Sequence, residues 1–112
     1  MHELAITRSI VAIVGDASKG RKVARVAVDI GKLSGVMADA IAFCFPIVAE
    51  GTALHGAALD INLIDGWARC GACDTEFVAD TLFTPCPCGS RQAIRLRGEE
   101  LKVKAIELEE AG

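Results

Sequence analysis

The chain has 112 residues, 52% hydrophobic and 4% aromatic, and 12 Lys and Arg against 15 Asp and Glu give a formal net charge of −3. This is a globular composition with no dense basic stripe for a phosphate backbone, so nucleic acid is disfavoured as a partner. The longest apolar stretch, 40–49, contains Pro46 and is shorter than the ~18 residues of a membrane span, and Glu3 precedes only the short 10–14 apolar run, not a secretory signal; a cytoplasmic location is the default expectation.

From His2 to about Ala17, apolar residues recur at Ile6, Ile10, Ile13 and Ala17, and Leu4, Val11 and Val14 widen the stripe. That spacing predicts a helix, with Lys19-Gly20 as its exit. Residues 21–31 alternate, with Ala24, Val26, Val28 and Ile30 on one face and Arg25 and Asp29 on the other, as in a half-buried strand. Ser34 is a candidate cap for a second helix, whose Val36, Ala40, Phe43 and Ile47 share a face. Pro46 should kink or end that helix, since an interior proline costs about 3 kcal/mol. Gly51 and Gly56 mark a loop. Leu59, Ile61 and Leu63 alternate with Asp60 and Asn62 as a second strand, which Asp65-Gly66 breaks.

After Gly89-Ser90 the alternation resumes at Ile94 and Leu96, pauses at Gly98, and continues through Leu101, Val103 and Ala105. The expected fold class is α/β. Residues 1–66 and 95–112 form a small domain of two helices on a roughly three-stranded sheet, and residues 67–94 form a zinc-ribbon-like domain inserted before the last strand.

Four of the five cysteines lie in that insertion, as Cys70-Gly71-Ala72-Cys73 and, twelve residues on, Cys86-Pro87-Cys88. Two such turns can set four thiolates at tetrahedral corners about 2.3 Å from a zinc ion, although the second turn is one residue tight. Four protein ligands leave no open position, so the expected role is structural. In a reducing compartment these cysteines read as ligands and not as disulfides. Iron in a rubredoxin-type centre suits the same sulfur set, which keeps an electron carrier as one alternative. Cys44, between Phe43 and Phe45, reads as a small packed hydrophobe, with ligation as a substitute role if Cys86 or Cys88 fails to reach the metal. His55, in a glycine-flanked loop, reads as exposed. No phosphate-cradling loop occurs and no nucleophile, base and orienting group can be assembled, so the chain is not expected to be an enzyme.

Several segments together carry a resemblance: Met1-His2-Glu3-Leu4, the run from Val26 to Ser34, Glu50-Gly51-Thr52, Cys70-x-x-Cys73, Cys86-Pro87-Cys88-Gly89-Ser90 and Gly98-Glu99-Glu100-Leu101. Over nearly its full length the sequence resembles the HypA/HybF family of hydrogenase nickel incorporation proteins. Two departures stand out: the family's second cysteine pair normally reads Cys-Pro-x-Cys-Gly-Ser, and Pro46 is unusual in its second helix. The resemblance implies a nickel metallochaperone in which His2 is the essential nickel ligand. Glu3 stands beside it, and main-chain nitrogens from Met1 onward complete the site. Nickel(II) accepts square-planar nitrogen ligation, and the first amides of a helix have no carbonyl partner within it, so this donor set is chemically sensible. An imidazole near pKa ~6.5 and an α-amine near ~7.7–8.0 must lose protons to bind, so affinity should fall on acidification.

The same resemblance implies the HypB GTPase as partner and the nickel-iron hydrogenase large-subunit precursor as recipient, with urease maturation in some organisms. The expected state is a monomer or weak homodimer, with the zinc lobe as scaffold and docking surface. The competing class is a zinc-ribbon module that binds protein or nucleic acid without nickel, distinguishable by salt-dependent nucleic-acid binding.

Overall fold

A computed structural model describes residues 2–110. Two helices, α1 (Glu3–Ser18) and α2 (Ala38–Ala49), accompany six strands: β1 (Val23–Gly31), β2 (Ala58–Ile64), β3 (Trp67–Cys70), β4 (Glu76–Val78), β5 (Ala93–Arg97) and β6 (Leu101–Leu108). They form two sheets, ordered β2-β1-β6 and β4-β3-β5. The chain divides into two compact units, one of Met1–Val28, Met37–Asn62 and Lys102–Gly112, the other of Asp29–Val36 and Leu63–Leu101.

In the first unit α1 buries Thr7, Ile10, Val11, Val14 and Ser18, while Ile13 stays 59% exposed. The buried stripe is therefore turned from the expected Ile6-Ile10-Ile13-Ala17 line, and two hydroxyls lie inside it. Both are satisfied within the helix, Thr7 Oγ1 donating to the Glu3 carbonyl at 2.7 Å and Ser18 Oγ to the Gly15 carbonyl at 2.9 Å. A hydroxyl bonded back to its own helix can be buried without a lost hydrogen bond, which hydrophobic spacing does not register. Lys19 ends the helix at a left-handed φ of 52°, its N–H donating to the Asp16 carbonyl.

Strand β1 buries Val26, Val28 and Ile30 as its alternation predicts, whereas Ala24 is only half-buried and Val23 and Asp29, on the other face, are buried as well. Bonds from Gly31 N to the Glu100 carbonyl and from Glu109 N to the Lys22 carbonyl bracket the β1–β6 pair and run it antiparallel. On the exposed side Arg25 reaches Asp60 of β2 at 2.6 Å and Glu107 of β6 at 3.4 Å.

The second helix begins at Ala38 with Met37 as its N-cap residue, later than a Ser34 cap requires. Gly35, at φ 78°, breaks the helical path, and the Ser34 hydroxyl instead accepts the Val36 N–H within a turn. Nor does Pro46 end the helix, which continues to Ala49. Pro46 and Ala42 both face solvent, so the Ala42 carbonyl left without a helical donor can be hydrated. The opposite face buries Ile41, Phe45 and Ala49, and not the expected Val36-Ala40-Phe43-Ile47 line, of which Phe43 and Ile47 are exposed. Two large side chains at about 1.5–3 kcal/mol each offset a proline penalty of about 3 kcal/mol.

In the second unit β3 pairs antiparallel with both neighbours, Ala68 standing opposite Phe77 of β4 and Arg95 of β5. Its buried cluster is Leu33, Ala68, Cys70, Phe77, Ala79 and Cys86. The pause read at Gly98 is a crossing point. A Cβ on Gly31 would stand 1.9 Å from the Gly98 carbonyl oxygen, so only glycine fits there.

Candidate metal centre

Strand β3 ends at Cys70, and a tight turn returns the chain to β4. Asp74 N donates to the Cys70 carbonyl, Cys70 N donates to the Thr75 carbonyl, and Asp74 takes the left-handed φ of 62° that closes the loop. This turn aims two N–H groups, of Ala72 and Cys73, at the Cys70 sulfur, at 3.3 and 3.4 Å. The second arm repeats the device in shorter form. Cys88 N faces the Cys86 sulfur at 3.5 Å, Gly89 N donates to the Cys86 carbonyl at φ 95°, and Cys86 N donates to the Ser90 carbonyl.

Across the two arms Cys70 Sγ lies 3.7 Å from Cys88 Sγ, and Cys73 Sγ lies 3.6 Å from Cys86 Sγ. All four sulfurs fall within 4.8 Å of one another. Tetrahedral thiolates with bonds of about 2.3 Å have sulfurs about 3.8 Å apart, so the donor set fits a zinc-sized ion despite the shortened second pair. Each arm supplies one buried sulfur, Cys70 or Cys86, and one exposed, Cys73 or Cys88.

The thiols are electrostatically unequal. N–H donation from Cys73 and then Ala72 draws Cys70 down from an ordinary 9.0 to about 6. Thr75 likewise lowers Cys73. At Cys86 the Cys88 N–H acts downward, but burial and the neighbouring thiols prevail and push it up to about 12. Four like charges cannot gather here by themselves, whereas a divalent cation ionises coordinating thiols outright. Among the described residues, these cysteines are the one group of three or more His, Cys, Asp or Glu donors close enough to share an ion.

At the other candidate site, Met1 lies outside the described residues. His2 is exposed and is the N-cap residue of α1, its carbonyl accepting the Ile6 N–H at 3.0 Å. Glu3, next to it, is buried, and its Oε2 accepts the Met37 N–H at 3.1 Å. That bond is the main reason its carboxyl titrates below the ordinary 4.5. Glu3 thus fastens the start of α1 to the start of α2, a role that no local pattern announces because the partner is 34 residues away. His2 and Glu3 line a shallow cleft of about 500 Å³ with Leu4, Arg8, Ala40 and Cys44. Cys44 is therefore only half-buried and borders this cleft, apart from the four-sulfur cluster. His55 is exposed in the loop between α2 and β2.

Two compact units, one of two helices on a sheet and one of strands alone built around four converging thiols, make the architecture of a small metal-binding protein. The family described as hydrogenase/urease nickel incorporation, metallochaperone, hypA, matches residues 1–108. Among similar proteins, the hydrogenase maturation factor HypA of Nostoc punctiforme is 54% identical over 98% of this chain and 97% of its own length. That of Geobacter sp. strain M21 is 47% identical over 97% and 100%. The solution structure of the Ni metallochaperone HypA from Helicobacter pylori superposes with a TM-score of 0.66 at 25% identity, covering 96% of this chain and 97% of that one. The chain belongs to the HypA family of hydrogenase maturation factors, which are metallochaperones and not enzymes. No helix among the described residues is long and apolar enough to cross a membrane.

Proposed function

We propose that this protein is a cytoplasmic nickel carrier that takes up Ni(II) at its N-terminus and delivers it to a maturing nickel-iron hydrogenase. The observation that carries the reading is the family match over residues 1–108 with Met1-His2-Glu3-Leu4 in place. His2 supplies the imidazole, and main-chain nitrogens of Met1, His2 and Glu3 supply the remaining square-planar donors. The exposure of His2 supports this, since a carrier must both load and release its ion. Glu3 serves as much by position as by ligation, because its carboxylate is committed to Met37 and holds the first turn of α1 in place.

We further propose that Cys70, Cys73, Cys86 and Cys88 hold zinc. A bound zinc supplies folding free energy to the segment around it and no reactive water, as all four positions are taken by protein. Nickel would then be handled by residues 1–66 and 95–112 and zinc by residues 67–94. The HypB GTPase would be the partner that supplies nucleotide hydrolysis, and the hydrogenase large-subunit precursor, or urease in some organisms, the recipient.

Calorimetric nickel titration of protein beginning at Met1, with and without His2→Ala, tests the proposal. We expect the substitution to abolish nickel binding while the zinc content stays at one per chain. Unchanged nickel affinity in the variant would remove His2 from the site.

A further inference from the structure

The second unit carries a surface that neither metal site uses. A cavity of about 180 Å³ lies on its sheet, with Leu33, Ala68 and Ala79 among its apolar walls and Arg91 and Arg95 among its polar ones. No acidic side chain lines it, although the whole chain is net negative. Its lip is a preformed turn. Thr81 N donates to Thr84 Oγ1, Phe83 N donates to Thr81 Oγ1, and the two hydroxyls lie 3.2 Å apart. This turn holds Leu82 at 50% and Phe83 at 79% exposure, so apolar surface is presented on a hydrogen-bonded frame and not on a slack loop.

Beside the cavity runs β5, the end strand of the β4-β3-β5 sheet. All five of its residues are exposed. One edge is engaged by β3, which leaves the other without a strand among the described residues. An unpaired edge offers a row of N–H and C=O groups to another chain. Charged residues alone would be read as protection of that edge, but Ile94 (62% exposed) and Leu96 (39%) stand between the arginines. Arg91 makes no ion pair among the described residues, whereas Arg95 is held by Glu99 at 2.8 Å and Arg97 lies over the Trp67 ring.

We propose that the free edge of β5 receives an extended acidic segment of a partner polypeptide as an added strand, with one of its apolar side chains seated in the cavity lined by Leu82 and Phe83. The backbone edge supplies the strand bonds, the cavity takes an apolar side chain, and Arg91 takes a carboxylate, with Arg95, already paired to Glu99, adding positive potential beside it. Nucleic acid is the less favoured occupant, because three arginines in a chain of net charge −3 do not make a continuous phosphate track.

Trp67 is the only tryptophan and sits on β3 opposite Arg97 of β5, so its fluorescence reports on this surface. The full-length protein is titrated with a blocked peptide of alternating glutamate and leucine, with a lysine-leucine counterpart, and with oligothymidylate. Hydrogen exchange of the β5 amides is followed in parallel. Saturable binding of the acidic peptide, slowed exchange in β5, and weakening of about tenfold or more by the pair Arg91→Glu and Arg95→Glu are expected. Phe83→Ser, which leaves the strands and cysteines untouched, should also weaken binding and serves as the deciding variant should the charge reversal lower metal content. No response of the native protein overturns the proposal. So do equal binding by the variants, unchanged β5 exchange in the complex, or displacement of the peptide by oligothymidylate.

Discussion

The two units of this chain are held together by different means. In the first, Val14, Val23, Val26, Val28, Ile41 and Leu54 are wholly buried, and two helices and a sheet close over aliphatic side chains. In the second, the buried cluster numbers six side chains, of which two are the cysteines Cys70 and Cys86. Each fully buried aliphatic side chain contributes about 1.5–3 kcal/mol, so the first unit has an adequate core from carbon alone. The second does not, and a structural zinc site, with apparent binding free energy of about 10–16 kcal/mol, would be the largest single contribution available to it. The difference teaches that one short chain can combine a core made by solvent exclusion with another in which two of six buried side chains belong to four thiols placed to share an ion.

Breaking the four-sulfur cluster should have the largest effect. Cys73→Ser, or exhaustive chelation, is expected to release zinc and to remove most hydrogen-exchange protection in β3, β4 and β5, while α1 and β1 keep theirs. Full zinc retention in the variant, by metal analysis, would show that coordination does not depend on all four sulfurs. Next comes the aliphatic core: Leu54→Ala or Ile41→Ala should cost about 2–5 kcal/mol in denaturant unfolding of the first unit without changing the metal content. A matching loss of metal would dissolve the contrast between the two units.

A smaller effect of opposite sign is expected at Pro46. Pro46→Ala restores an N–H donor to the Ala42 carbonyl on the exposed face of α2, and we expect a gain of about 1–2 kcal/mol, reduced by the greater freedom of the unfolded chain. A loss on thermal unfolding would mean that the proline shapes the helix in a way the core requires.

The smallest effect concerns Glu3 and acid. Its carboxyl titrates below the ordinary 4.5 because Met37 N–H bonds the ionised form. A group whose pKa is lower in the folded state contributes stability above its unfolded value and loses it as pH falls through the folded value. The tie between α1 and α2 should therefore be intact at neutral pH and weaken only below about 4.5. In Glu3→Gln the melting temperature should lose part of its dependence on pH in that acid range; an unchanged acid limb would show that the bond carries no linkage.

Much of this was readable locally. The exit of α1 at Lys19-Gly20, the burial of Val26 and Val28 in β1 and the gathering of Cys70, Cys73, Cys86 and Cys88 all follow from neighbours a few residues apart, where period and turn chemistry act directly. Less legible were features that depend on what lies across space. Thr7 and Ser18 enter the core because their hydroxyls bond back into the helix, so a purely apolar stripe misplaces the buried face. Ser34 has cap chemistry, yet Gly35 diverts the backbone before the helix starts.

The sequence by itself determined the order of the two helices and of the strands outside the cysteine region, the four clustered cysteines and, through its N-terminal tripeptide and spaced motifs, the resemblance to a nickel-handling family, while β3 and β4 carried no pattern of their own. Those features rest on residue type and short-range spacing, which survive without any knowledge of the fold. Only the tertiary structure decided that Glu3 is committed to Met37, that Cys44 borders the cleft beside His2, and that β5 stands at a sheet edge next to an arginine-lined cavity. Each joins residues tens of positions apart, and such juxtaposition is set by how helices and strands pack, a property of the whole chain and not of any segment within it.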